Sequence, residues 1–537
     1  MIEIQENMKI NNIYRVISIA LLGLLLASCN LDKEPLDYIP LKKSFADMDG
    51  LKAWDNGTTI LLRTRLFGGS ATLPQEVQAD MLNMHIMHNS YGAFHGWHSL
   101  RADEATFDGL YHSYYVALAD ANTLLDGLSN YDINKEQNPE AAKATIDTYA
   151  GHAHFARAFY YYSLAIRWGV PYKEESAATD LCVPLVKKVD PLTMYPRASN
   201  KEVWDFILQE LTLAEELLAS TPGAEGADYI SQDVATALKS RVYLYMGKMP
   251  EALATAEKLI NSQRYSLTKP DEMDVTGVTA IEAMWHKDTG REQIYQPFIS
   301  KPDELPSTLG LYGANLEANR WWRENKHRDI AINTPPFLPA GWLKEFYQEG
   351  DLRRKVYFEE AMTVITPADY GRTSQDVVWV VSKFKGNKAY SDLDSQVWGG
   401  YVPNGLQAPK PFRYAEQVLI AAEAAYESGD NAKALDYLNQ LKVSRGLESV
   451  DLFGTDLQQE IRDERTRELA FEGFRLWDLR RWGMGVNRHD PQEREVLNKE
   501  YDLHLNIPAG DYRFVWGIPQ VLFKINHKLI QNEGWER

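Results

Sequence analysis

The stretch Ile461–Gly483, IRDERTRELAFEGFRLWDLRRWG, mixes charge with large apolar groups more densely than any other part of the chain. Just before it, Thr455 and Gln458 have the spacing of a capping box, and good helix formers follow, so a helix is expected from Thr455. The apolar members Ile461, Leu469, Phe471, Phe474, Leu476, Trp477, Leu479 and Trp482 do not fall on one face of a helical wheel. Such a segment must be enclosed on several sides. Enclosed Arg, Asp and Glu are costly unless paired, and the spacing offers Asp463 to Arg467, Glu472 to Arg475 and Asp478 to Arg481. Gly473, in mid-pattern, predicts a bend or break. The cluster reads as a buried ion-pair framework holding other helices, with a catalytic carboxylate cluster as the competing reading.

Composition narrows the class. A chain of 537 residues, 45% hydrophobic and 25% charged, can bury a large core. Its net charge of -18 has the wrong sign for a nucleic-acid partner or for a basic patch on anionic lipid. Cys29 and Cys182 are the two cysteines, too few for a disulfide framework.

The N-terminus speaks for export. After Lys9 and Arg15 comes an apolar run, Val16 to Leu26, too short to span a bilayer and of the right length for the core of a signal peptide. It ends in Leu26-Ala27-Ser28-Cys29, which resembles a lipobox. That resemblance implies cleavage before Cys29 and acylation of its thiol and freed amine. Each buried methylene contributes roughly 0.8 kcal/mol, so several acyl chains anchor firmly without a spanning helix. No later stretch is apolar enough to span. Asp32 and Glu34 resemble the acidic surface-export signal of such lipoproteins, and Leu31 to Pro40 reads as an extended tether.

From about Phe45 to Ile260 the pattern is helical. Helices are expected over Gly109 to Leu128, over Glu140 to Trp168 with a stop at Gly169 and Pro171, and over Ser199 to Leu218, where Ser199 and Glu202 make a capping box. A helical hairpin follows, Val234 to Met246 and Pro250 to Ile260 about Gly247; a second runs Leu419 to Tyr426 and Ala432 to Leu441 about Gly429. Ala252 and Ala434 stand five residues after the turn glycines, where a small residue lets two helices approach closely, as in tetratricopeptide repeats. Between the hairpins lies an insertion, about Asn261 to Lys410, with ten of the 24 prolines and strand candidates at Val377 to Val381 and Gln293 to Phe298. Loops on a rigid scaffold are the usual home of binding residues, so ligand specificity is expected here and in the loop after Asp80.

These pieces carry a family resemblance. Glu464-Arg465, Glu468-Leu469, Phe471-Glu472-Gly473, Arg475 and Asp478-Leu479-Arg480-Arg481-Trp482 resemble the C-terminal signature of the SusD/RagB family, surface nutrient-binding lipoproteins of Bacteroidetes-type bacteria. Ala121-Asn122, Ala153 to Arg157 with Trp168-Gly169-Val170-Pro171, Tyr195-Pro196-Arg197, Arg413 to Leu419 with Ala422-Glu423-Ala424, Ile518-Pro519-Gln520 and Gln531 to Trp535 extend the resemblance over nearly the whole chain. It departs at His527, where a proline often follows the asparagine. The resemblance implies a mostly α fold, a SusD-like helical scaffold with tetratricopeptide-like hairpins and a loop-rich insertion with a few short strands. It implies an outer-membrane, cell-surface lid on a TonB-dependent SusC-like barrel that captures oligosaccharides for import; RagB-like members point to peptides. The expected segments are a signal peptide (1–28), a lipidated tether (29–44), an N-terminal helical scaffold (45–260), the ligand-binding insertion (261–410) and a C-terminal helical part (411–537) packed with the scaffold as one body.

A sugar site needs aromatic faces to stack on a pyranose and amides, carboxylates or Arg to bond its hydroxyls. Asn89, Ser90, Tyr91, Phe94, Trp97 and His98 supply both, as do Asn319, Arg320, Trp321, Trp322 and Arg323; Trp398 and Tyr401 form a third candidate. The alternative for these aromatics is core or an interface with the barrel. His85, His88, His95 and His98 raise zinc, although no His-Glu-x-x-His motif or cysteine pair accompanies them, and no metal or other cofactor is expected. Calcium stays undecided, since scattered Asp and Glu make no EF-type loop. Nucleophile-elbow, phosphate-loop and dinucleotide fingerprints are missing. A glycosidase, which needs only two suitably spaced carboxylates, and an assembly scaffold without a small ligand remain alternatives to a non-catalytic binding protein.

Overall fold

The computed structural model describes residues 40–535 apart from 64–66, 87, 191, 301–303, 306–309, 314–331, 365–374, 391–402 and 499–504. The chain forms two compact units, 1–51 and 52–537. In the first, the described part is a helical turn, Leu41–Ser44, and the start of helix α1 (Met48–Leu61). Cys29 and the tether through Leu31 lie outside the described residues.

The second unit is mostly helical. After α2 (Gly69–Gln78) and strand β1 (Leu82–Met84) come α3 (Ala105–Ser129) and α4 (Pro139–Trp168). Helix α4 starts where Asn138 accepts the Ala141 N–H and Pro139 takes the first turn, where its missing N–H costs nothing. Its second half, Ala153 to Trp168, is buried on nearly all sides, and the Trp168 indole N–H reaches Gly517 O at 3.0 Å. β2 (Leu181–Pro184) and β3 (Arg197–Ser199) pair antiparallel before α5 (Asn200–Leu217), which opens with the expected reciprocal cap between Ser199 and Glu202.

Both helical hairpins form. α6 (Gln232–Tyr245) and α7 (Met249–Asn261) turn at Gly247, φ 71°; α8 (Tyr414–Glu427) and α9 (Asn431–Ser444) turn at Gly429, φ 88°. These left-handed positions favour glycine. Ala252 and Ala434 are fully buried, and α7 packs against α8, so hairpins far apart in sequence are neighbours in space. The insertion between them leaves and returns at one place, because β4 (Gln293–Tyr295) pairs antiparallel with β8 (Phe412–Arg413). Within it, β6 (Phe358–Val364) and β7 (Gln375–Val381) form an antiparallel hairpin, and β5 (Phe337–Pro339) pairs with β1. No helix among the described residues is long and apolar enough to cross a membrane.

The signature stretch breaks into α10 (Gly454–Glu468) and α11 (Arg475–Arg481), separated by a turn with Phe471 at φ 65° and Gly473 at φ 89°. Two expectations need correction here. α10 begins without a side-chain cap, and Gln458 bonds Glu427 instead. Of the expected pairs, Asp478 with Arg481 forms; Arg467 turns to Glu464 and Glu460, Glu472 to Lys383 and Arg413, and Arg475 to Asp80. With the helix ended at Glu468, Glu472 and Arg475 no longer share a face and reach charges from other elements; within α10, Arg467 takes Glu464 and Glu460 while Asp463 accepts from Gln459.

Those charges make one network centred on Glu468. Its carboxylate accepts from Arg353 Nη1 at 3.1 Å, Arg413 Nη1 at 2.7 Å, and Arg445 Nε and Nη2 at 2.8 and 2.9 Å. Arg353 also holds Asp351 and Glu464, Arg413 holds Glu472, and Arg445 holds Glu292. Burial pushes the Glu468 carboxyl upward, but Arg445 and Arg413 outweigh it and hold it well below the usual carboxylate range. The network ties the insertion, the second hairpin and α10 together, as the structural reading of these charges expects.

Candidate functional site

The loop after β1 turns back on itself within residues 85–98. The backbone of His85 bridges Leu497, its ring Nε2 lies 2.9 Å from Thr363 Oγ1, and burial, then the neighbouring His88, lowers its pKa to about 4. The His88 Nε2–H donates to Thr334 O at 3.0 Å, and Asn498 holds the same residue by donating to His88 O at 2.7 Å. A five-residue helix, Gly92–Gly96, follows, flanked by Tyr91 at φ 57° and Trp97 at φ 60°. Left-handed conformations at bulky residues are sparsely populated and persist only where the surroundings over-determine them.

The candidate residues of this loop separate into two groups. Asn89, Ser90 and His98 are exposed, and Tyr91 is half-buried with its edge toward Phe94 at 6.1 Å between ring centroids. Trp97 is fully buried: its indole N–H donates to Gln78 O at 2.8 Å and its ring meets Phe514 at 5.0 Å. Phe94 is equally buried between Phe107 and Trp516. Trp97 therefore serves the core and presents no face to a ligand, which corrects its assignment to sugar stacking. The zinc alternative fails on geometry. His95 Nε2 accepts the Met84 N–H, the His98 Nδ1–H donates to Gly96 O, and the other two rings face Thr363 and Thr334; among the described residues no three metal-ligating side chains converge.

Arg320, Trp321 and Trp322, with Asn319 and Arg323, lie outside the described residues, as do Trp398 and Tyr401. The ends of segment 314–331 are described. Gly313 O accepts the Thr334 N–H at 2.8 Å, Asn333 Nδ2 donates to Tyr312 O at 2.7 Å, and the Asn333 N–H donates to Met362 O at 2.9 Å. Thr334, three residues past that segment, is also the partner of His88, so the described flank meets the loop bearing Asn89 and Tyr91. Segment 391–402 is rooted where the Asn387 N–H donates to Leu406 O and the Gly405 N–H to Lys385 O. Sequence reasoning missed Thr334, Thr363 and Asn498, which frame the loop from afar; no local pattern marks them.

Comparison with known proteins agrees with this architecture. A model of the SusD family matches residues 372–535, and a model described as starch-binding associating with outer membrane matches 37–244. SusD-like protein P2 of Formosa agariphila is 26% identical over 529 residues, covering 92% of this chain and 96% of that protein. SusD-like protein P38 of the same organism is 26% identical over 383 residues, covering 64% and 68%. A crystal structure of a SusD superfamily protein from Bacteroides thetaiotaomicron superposes with a TM-score of 0.71 at 21% identity, over 90% of this chain and 99% of that one. A SusD-like carbohydrate binding protein from Bacteroides vulgatus gives 0.67 at 18%, over 90% and 97%. With family models matching 37–244 and 372–535 and the fold shared over 90% of the chain, this chain is a member of the SusD-like family.

Proposed function

We propose that this protein is a non-catalytic, lipid-anchored subunit of an outer-membrane importer that binds oligosaccharides at the cell surface and passes them to a SusC-like TonB-dependent barrel. Family membership supports a carbohydrate-binding role, as does the neighbour described as a carbohydrate binding protein. The observation that carries the reading is the shared root of the two polar-aromatic stretches, His88 on Thr334 O. It supports one ligand face formed by Asn89, Tyr91 and His98 with Arg320, Trp321 and Trp322; Trp398 and Tyr401 are proposed as a separate contact on the third stretch. Affinity comes from stacking and hydroxyl hydrogen bonds, and closure against the barrel retains the cargo. The anchor is Cys29, and the insertion 261–410 is the specificity region on a frame built from 45–260 and 411–537.

A glycan and peptide array with protein lacking residues 1–28 tests the reading. Selective glycan binding without sugar release supports it. Binding of peptides alone turns it to the RagB-like alternative, turnover of a polysaccharide to a glycosidase, and binding of neither to an assembly scaffold. Acyl labelling that survives Cys29→Ala would refute the anchor.

A further inference from the structure

Two segments far apart in sequence meet at the surface. The Asn526 Nδ2–H donates to Tyr195 O at 2.9 Å, and the buried Arg197 guanidinium donates to Ile530 O at 3.0 Å and to Asn532 Oδ1 at 2.7 Å. Arg197 also donates to Cys182 O at 2.6 Å, inside the β2–β3 pair. These bonds fix residues 192–197 beside residues 520–530 on a firm base.

Both segments hold aliphatic side chains in solvent. Val189, Leu192 and Met194 are exposed on the first and Val521, Ile525 and Ile530 on the second, Leu192 at 91% and Ile525 at 67%. The short helix Gln520–Lys524 buries none of its residues. Single exposed apolar residues are ordinary, but six from two joined segments make a patch, and such patches mark surfaces that meet something.

Charge distinguishes the partner. Lys187, Lys188, Lys524 and Lys528 are exposed on the same segments, and none of them forms an ion pair among the described residues. The acid of these segments, Asp190, is turned to the Leu192 N–H and the Thr193 hydroxyl of its own turn, at 3.1 and 2.6 Å. A chain of net charge -18 repels an anionic surface as a whole, so a lysine-bearing face decides how it can approach one. Protein–protein interfaces favour aromatic rings and Arg and are depleted in Lys. This patch has the opposite composition, aliphatic side chains interleaved with lysines and no exposed Phe, Tyr or Trp. Lysine stems lie along apolar surface while their ammonium groups reach outward, as at a membrane interface.

We propose that this face is a lipid-contact surface: Leu192, Ile525 and Ile530 enter the headgroup boundary of a membrane, and Lys187, Lys188, Lys524 and Lys528 meet the phosphates of anionic lipid. The proposal rests on the membrane-anchored reading above. It adds a non-covalent contact that turns one side of the body to the lipid, where the Cys29 anchor alone would leave its orientation open.

Vesicle sedimentation tests it on unacylated protein lacking residues 1–28, a cut that leaves the compact unit 52–537 whole and takes the anchor out of the readout. In about 100 mM NaCl, vesicles with about 30% POPG in POPC are expected to bind it roughly tenfold more tightly than POPC alone, a difference that about 500 mM NaCl removes. A lysine near such a surface contributes about fivefold, so Lys524→Gln with Lys528→Gln should weaken binding roughly 25-fold. Leu192→Gln with Ile525→Gln should weaken it about tenfold. Phe453→Gln and Val275→Gln, which change exposed apolar residues elsewhere, should leave it unchanged. The circular dichroism of each variant should match the parent's, since every side chain changed is exposed. No binding to either vesicle, equal binding to both, or binding unmoved by the patch variants overturns the proposal. Loss in those variants of self-association, or of co-purification with the barrel, while vesicle binding persists assigns the face to a protein and overturns it too. Acyl chains are absent throughout, so these results stand whether or not Cys29 is the anchor, which the labelling of Cys29→Ala judges separately.

Discussion

Replacing Glu468 with Gln removes one negative charge from the centre of the buried network while keeping its shape. The wild-type carboxylate accepts four charge-assisted bonds from Arg353, Arg413 and Arg445, at 2.7 to 3.1 Å. Charge-assisted hydrogen bonds contribute roughly 1.5–3 kcal/mol each, so a naive sum approaches ~10 kcal/mol. That sum overcounts, because each arginine keeps another carboxylate: Asp351 and Glu464, Glu472, and Glu292 respectively. The better guide is the loss of one partner of a buried ion pair, about 3–5 kcal/mol, to which the glutamine adds an N–H group facing a guanidinium. Urea unfolding at pH 7 of protein lacking residues 1–28 measures the effect; chains of this size need not unfold in one step, so the first transition is the criterion. The exposed Lys143–Asp147 pair, 2.6 Å apart, serves as control, and Lys143→Ala is expected to change stability by less than about 0.5 kcal/mol. A loss below about 1 kcal/mol in Glu468→Gln would refute the claim that the network holds the insertion to the frame.

Trp97→Ala is expected to destabilise by about 3–5 kcal/mol, since it empties a fully buried indole site, and to leave the glycan affinity of the folded fraction intact; thermal melts and titration on the same sample check both halves. Trp321→Ala is expected to do the reverse, lowering glycan affinity tenfold or more with an unchanged melt, and equal affinities would remove it from the ligand face. Burial raises the Glu76 pKa to about 8, with the Gly473 N–H bond opposing, so its contribution is present below about pH 4.5 and is lost as pH rises to 8, at up to about 1.4 kcal/mol per unit. Glu76→Gln should flatten that fall in a pH series of urea midpoints, and an unchanged slope would contradict it. Burial pushes Glu464 upward but Arg353 and Arg467 outweigh it and hold it at about 2, so its contribution is present above pH 4.5 and is lost between 4.5 and 2; Glu464→Gln should lessen the acid-side loss in the same series.

The frame was legible because its signals are local. Helical periodicity, the Ser199–Glu202 cap and the glycines at 247 and 429 each act within a few residues, and each appears in the fold. The ion pairs of the signature were legible as a need but not as a pairing: spacing offers neighbours on one helix, whereas Arg475 finds Asp80 across 395 residues. The loop 85–98 shows the same boundary. Its mixture of amides, histidines and aromatics looks like a ligand surface, yet Trp97 and Phe94 are consumed by packing against Phe514, Trp516 and Phe107. Composition cannot tell a stacking platform from a core residue, because both demand a large apolar ring.

The pairing of β4 with β8 gives the excursion between the hairpins a closed neck. Once such a neck is sealed, the entropy of holding it grows only logarithmically with the length beyond it, about 0.6 kcal/mol for each doubling. The loops past Tyr295 and before Phe412 can therefore lengthen or shorten while the helices on either side stay in register, provided Asp351, Arg353 and Lys383 keep their places in the charge network.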